Sequence, residues 1–186
     1  MGGGRVDGQE YLQLQCFERS LNINNQNPSA WYQLATMGGG SVGGQQYDRK
    51  QCIERSLKIN NRNTDAWMEL GRLKGGSVDG QLNSRQQCFV EVLTIDDHNA
   101  QAWEYLGNAL RKHDSASING QTYTKQQCFQ SALDIDPNFG PTWKSLGLVG
   151  GGHVGGQEYN KQQCLNRAAS RNNAAQSRSA GAGAEV

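Results

Sequence analysis

The tightest constraint on this chain is a period. Trp31, Trp67 and Trp103 stand 36 residues apart and Trp143 follows after 40; Cys16, Cys52, Cys88, Cys128 and Cys164 repeat the series 36, 36, 40, 36. The four extra residues fall around KHDSAS, Lys112 to Ser117. A period in this range means stacked units, each burying a narrow stripe against its neighbours. Composition agrees, since 35% apolar residues and 24 glycines in 186 would make a poor single spherical core.

One unit reads GGGSVGGQQYDRKQCIERSLKINNRNTDAWMELGRL, Gly38 to Leu73. Two stretches in it have helical periodicity. In CIERSLKI the residues Cys52, Ile53, Ser56, Leu57 and Ile59 share an arc of about 160°, and in AWMELGRL so do Ala66, Trp67, Leu70, Gly71 and Leu73. Asp48, Ser84 and Thr124 stand where an N-cap is needed, with Gln51, Gln87 and Gln127 three residues on as in a capping box. Between the helices comes Val–(Asp/Gly/Asn)–Gly–Gln or its Ile variant, beginning at Val6, Val42, Val78, Ile118 and Val154. Its two central residues suit a type I′ turn, which needs φ > 0 at both. That register sets Val42 opposite Gln45 and Gly40 opposite Tyr47, so Val42 and Tyr47 share a face that must pack on the adjoining helices.

The segment ALDIDPNFGPTWKSLG, Ala132 to Gly147, resembles the junction between consecutive tetratricopeptide repeats, and SLNINNQNPSAWYQLA, SLKINNRNTDAWMELG and VLTIDDHNAQAWEYLG are weaker copies. In that family's terms the Trp helix is helix A and the Cys helix is helix B. The family repeat has 34 residues; here helix A stops after Gly71 and a hairpin is inserted before helix B. Turn proline survives only as Pro137, with Asn25, Asn61 and Asp97 at the equivalent places. The expected fold is therefore mainly α: an α-solenoid of helix–hairpin–helix repeats, a tetratricopeptide-like superhelix. Residues 1–173 are expected to form the repeat domain, with five hairpin–helix B units and four helix A units, and 174–186 a low-complexity tail.

The resemblance implies a non-catalytic scaffold that binds a peptide or partner protein along helix A. The positions it carries over are Tyr32, Met68, Glu104 and Lys144 just after each Trp, and Thr36, Arg72, Asn108 and Leu148 four residues later. They vary in chemistry while the packing positions repeat. Of the Asn and Lys set that clamps a terminal carboxylate in some family members, only Asn108 and Lys144 have counterparts. The alternative is a structural subunit stacking head to tail into a filament or larger assembly, because the first helix B has no helix A before it.

Other chemistries are disfavoured. With 18 basic and 17 acidic residues, charge points to neither nucleic acid nor an anionic membrane. No run reaches the ~18 apolar residues of a membrane span, and the opening residues lack the apolar core of a signal peptide, so a cytoplasmic protein is expected. Cysteines 36 residues apart at equivalent points of stacked units suit neither a zinc site nor a disulfide and read as small buried apolar residues. His98, His113 and His153 lie in unrelated contexts and read as surface histidines. The hairpins lack the Gly-Lys-Ser/Thr of a phosphate-binding loop. No catalytic residue, metal or cofactor is expected.

Overall fold

The structure, a computed structural model, describes residues 3–6 and 9–170, with side chains from residue 12 onward. The expected tail, 174–186, and the last three residues of the expected repeat domain lie outside the described residues.

Hairpins and helices alternate as expected. The order is β1 (Gly3–Val6), β2 (Gln9–Leu12), α1 (Gln13–Ile23), α2 (Pro28–Thr36), β3 (Gly39–Val42), β4 (Gln45–Asp48), α3 (Arg49–Ile59), α4 (Thr64–Arg72), β5 (Gly75–Val78) and β6 (Gln81–Ser84). Then come α5 (Arg85–Ile95), α6 (Ala100–Ala109), β7 (Ser115–Ile118), β8 (Gln121–Thr124), α7 (Lys125–Ile135), α8 (Gly140–Leu148), β9 (Gly151–Val154) and β10 (Gln157–Asn160). A last helix, α9, covers residues 161–170. Among the described residues every strand pairs only with its hairpin partner, antiparallel, and Val42 faces Gln45 and Gly40 faces Tyr47 as the turn chemistry required. Gly43 and Gly44 hold φ of 60° and 77°, the left-handed pair of a type I′ turn.

The helix boundaries follow from local chemistry. Asp48 and Thr124 accept from the N–H of Gln51 and Gln127, whose side chains return to the cap N–H. Ser84–Gln87 and Asn160–Gln163 repeat the exchange. Helices A start instead on Asn27, Asn63 and Asn99, each accepting from the N–H three residues on.

The chain divides into two compact units, Met1–Glu91 and Val92–Val186, the division falling inside α5. In the first unit α2 packs between α1 and α3, and Leu21, Trp31, Leu34, Ile53, Leu57, Trp67, Leu70 and Phe89 make its core. The β3–β4 hairpin lies against α1, where the N–H of Ser41 donates to Glu18 and that of Gly43 to Asn22. In the second unit α6 packs on α7 and α7 on α8, and Phe129, Leu133, Trp143, Leu146, Val154, Tyr159, Cys164 and Ala168 form one cluster. The β9–β10 hairpin lies against α7, with the Gly155 N–H donating to Asp134 at 2.7 Å. A hairpin thus docks on the helix B before it, which satisfies edge groups that a free two-stranded ribbon would leave to water.

Four tryptophans repeat one bond that the sequence does not announce. Each indole Nε1 donates to the carbonyl six residues earlier in the inter-helix turn: Asn25, Asn61, Asp97 and Pro137, at 2.7–2.8 Å. The ring therefore fills the core while its one polar atom closes the turn. Tyr47, Tyr123 and Tyr159 meet Trp31, Trp103 and Trp143 edge-on with centroids 4.6–4.9 Å apart. The glutamine after two of the turns also has a role here, since Gln45 and Gln157 accept from the hydroxyls of Tyr47 and Tyr159.

Candidate functional site

The repeated cysteines are architecture. Cys52, Cys88, Cys128 and Cys164 are fully buried, while Cys16 is half-exposed. Burial pushes the thiols of Cys52 up to about 11 and of Cys88 and Cys128 up to about 12, so none is a thiolate near neutral pH. His98 pairs at 2.6 Å with the adjacent Asp97 on the surface, and His153 is exposed on its hairpin.

The eight helix A positions fall into two groups, one per unit. In the first, Thr36 and Arg72 are exposed, Tyr32 is half-buried and Met68 is buried. Glu69, at a position the family pattern did not select, organises this surface. Its carboxylate takes Arg49 at 2.5 Å and Arg72 at 3.1 Å, leaving Glu69 only 17% exposed. Burial, then the nearby Asp65 and Glu69, raise the Tyr32 hydroxyl pKa, and Arg49 and Arg72 oppose them. Tyr32 and Arg72 thus belong to one charged cluster, whereas Met68 turns into the packing.

In the second unit Asn108, Lys144 and Leu148 are exposed and Glu104 is buried at 7% exposure. Burial raises the Glu104 pKa, and a hydrogen bond from Asn108 at 3.5 Å lowers it in part. Asn108 and Leu148 line one cleft of about 880 Å³ together with Lys112, His113, Lys125, Phe129, Val149 and Lys161. Lys144 is not part of its lining. The lining holds three lysines and a histidine, no carboxylate, and an apolar strip of Phe129, Leu148 and Val149.

Lys112, His113, Lys125 and Lys161 were not among the selected positions, yet a signal for two of them exists. Helix B opens on Arg49, Arg85, Lys125 and Lys161 in four of five copies. A cation at the first turn opposes the helix dipole, so its recurrence calls for a compensating use. Arg49 has Glu69, Arg85 lies 5.8 Å over Phe89, and Lys125 lies 5.8 Å over Phe129 and donates to the Leu110 carbonyl at 2.9 Å.

No protein-family model matches the chain, and no curated protein matches it. Among solved structures, the crystal structure of MamA is similar to it over 88% of this chain and 89% of that one, with a TM-score of 0.60 and 12% sequence identity. Helix pairs in series, with this likeness along nearly their whole length, make the fold a tetratricopeptide-like α-solenoid whose helix A and helix B are joined by short β-hairpins.

Proposed function

We propose that this chain is a non-catalytic scaffold that binds a peptide or partner protein through its helix A surface. The observation that carries the reading is the cleft of about 880 Å³ in the second unit. There two helix A positions, Asn108 and Leu148, meet cations and an apolar strip in which Phe129 is buried, Val149 half-buried and Leu148 67% exposed. Such a volume accepts a few side chains of an extended segment. The buried, unionised thiols and the capping glutamines support architecture over chemistry elsewhere in the repeat. Five free cysteines fit the reducing cytoplasm, which we take as its compartment. No described helix is long and apolar enough to cross a membrane.

The test compares affinity capture from native extract by the wild-type chain and by a Leu148→Asp/Lys161→Glu variant whose circular dichroism is unchanged. A protein retained by the first and lost by the second supports the reading. Identical sets of retained proteins refute it.

A second reading, stacking of copies, is favoured by one observation in the first unit. Cys16 and Phe17 on α1 are only half-buried, while their counterparts Cys52 and Ile53 on α3 are fully closed from solvent. A further polypeptide laid on α1 would complete that face. Sedimentation across a hundredfold concentration range decides: mass rising with concentration supports stacking, and a constant monomer mass removes it.

A further inference from the structure

The first unit holds a pocket of about 480 Å³ on the hairpin side of the repeat, and its lining includes none of the helix A contact positions. Leu21, Trp31 and Val42 form its buried floor, with Ile59 half-buried beside them. Arg55 and Lys58, both exposed and one turn apart on α3, stand over it, and no carboxylate lines it. The guanidinium of Arg55 lies 5.6 Å over the Tyr47 ring, which holds it at the pocket.

Three of the four lining amides are polarised the same way, the exception being Gln26, whose NH2 group is spent on Asn25. Asn22 accepts from the Gly43 N–H, Asn25 from the Gln26 side chain, and Gln45 from the Tyr47 hydroxyl. With those oxygens engaged, the NH2 groups of Asn22, Asn25 and Gln45 are what each amide offers as donors. An apolar floor under two cations and three amide donors fits a ligand that is apolar on one side and rich in acceptors on the other.

Comparison within the chain sharpens this. The places of Asn22, Arg55 and Lys58 are taken by Lys58, Glu91 and Thr94 in the second repeat, Thr94, Ser131 and Asp134 in the third, and Asp134, Arg167 and Ser170 in the fourth. Each later copy has at most one cation facing an acid, or none. In the fourth, Arg167 also closes onto the aromatic pair, 4.6 Å from Tyr159 and 5.0 Å from Trp143. The paired cations are therefore not demanded by the repeat; the same two side chains also border a second cleft of about 330 Å³ that holds Glu54 and Asp79, and it is the first pocket that sets them over an apolar floor with no acid in its lining.

We infer that this pocket binds a peptide segment in which an aliphatic side chain is flanked by carboxylates: the aliphatic group on Leu21, Trp31 and Val42, a carboxylate on Arg55 and Lys58, and backbone carbonyls on the amide donors. This goes beyond the helix A reading and stands or falls without it, because the test reads only residues of this pocket.

The experiment titrates the ¹⁵N-labelled full chain with acetyl-Gly-Asp-Leu-Asp-Gly-amide and follows the Gly43 amide and the Trp31 indole N–H. Saturable shifts of both signals are expected, weakening as salt is raised. The Arg55→Glu/Lys58→Thr variant, which installs residues the second repeat already carries, should bind at least about tenfold more weakly. Arg55→Gln is the second variant, kept for the case in which the double change disturbs the fold, and should weaken binding in the same direction. Absence of shifts, equal shifts with the control peptide acetyl-Gly-Lys-Leu-Lys-Gly-amide or with sodium acetate at matched carboxylate concentration, or undiminished binding by both variants would overturn the inference.

Discussion

Thr142 is the place to test whether the packing at the repeat junction is understood. It stands just before Trp143, where the other copies have Ala30, Ala66 and Ala102, and it is fully buried with no hydrogen-bond partner for its hydroxyl. A buried polar group left unsatisfied costs about 1–3 kcal/mol. Thr142→Val keeps the branched shape, removes that cost and adds a methyl worth up to about 0.8 kcal/mol where it finds contacts. The expected gain is about 1–2 kcal/mol after some loss to imperfect fit. With an m-value of about 2 kcal/mol/M, the urea midpoint should rise by about 0.5–1 M at constant m. Tryptophan fluorescence is the direct readout, since Trp143 is the adjoining residue. Ser56 supplies the contrast: also fully buried, it donates to the Pro28 carbonyl at 2.8 Å, so Ser56→Ala should cost about 1 kcal/mol. A lowered midpoint for Thr142→Val would refute the reasoning and show that the hydroxyl is satisfied, for instance by a bound water.

Cys52, Cys88, Cys128 and Cys164 should alkylate only as fast as the structure opens, and Cys16 promptly, as mass spectrometry of timed iodoacetamide reactions would show. Because burial raises the folded pKa of Cys52 to about 11 and of Cys88 and Cys128 to about 12, their contribution is fully present below the unfolded value near 9 and is lost as pH rises through 11–12. Urea midpoints from pH 8 upward should therefore fall, less so in a Cys128→Ala variant. Glu104→Gln should stabilise at neutral pH, because the raised carboxyl pKa means that the fold holds the proton more tightly than the unfolded chain does. The gain should shrink as pH falls toward 4, and a pH-independent effect would point to packing instead. Trp67→Ala should cost about 3–5 kcal/mol, whereas Trp67→Phe, keeping a ring but losing the bond to the Asn61 carbonyl, should cost less; equal losses would contradict the split.

The sequence alone determined the repeat, the helix pair and the hairpin between them, because each rests on local rules. The 36-residue spacing, the capping boxes at Asp48 and Thr124 and the Gly43–Gly44 turn require no knowledge of distant residues. Burial of Cys52, Ile53, Ser56 and Leu57 likewise followed from their arc on one helix, while Ile59, on the same arc at the helix end, is only half-buried. For Cys164 the local view fell short. Nothing in its own helix says how well its neighbours cover it, yet it is as closed as the central three, packed in the cluster with Trp143 and Tyr159.

Only the tertiary structure decided which of the repeated helix A side chains reach the surface. Met68 and Glu104 occupy the same place in the repeat as Lys144, yet the first two are buried and the third is exposed. Exposure of a residue on a helix is set by what the neighbouring helices, some 20 residues away, lay over it, and the position within the repeat does not encode that. The same holds for the cleft around Asn108 and Leu148 and for the pocket beneath Arg55 and Lys58, each assembled from four or more elements distant in sequence. Periodicity sets how the helices of a repeat pack on one another; the surface they present depends on side chains whose identities the repeat leaves free.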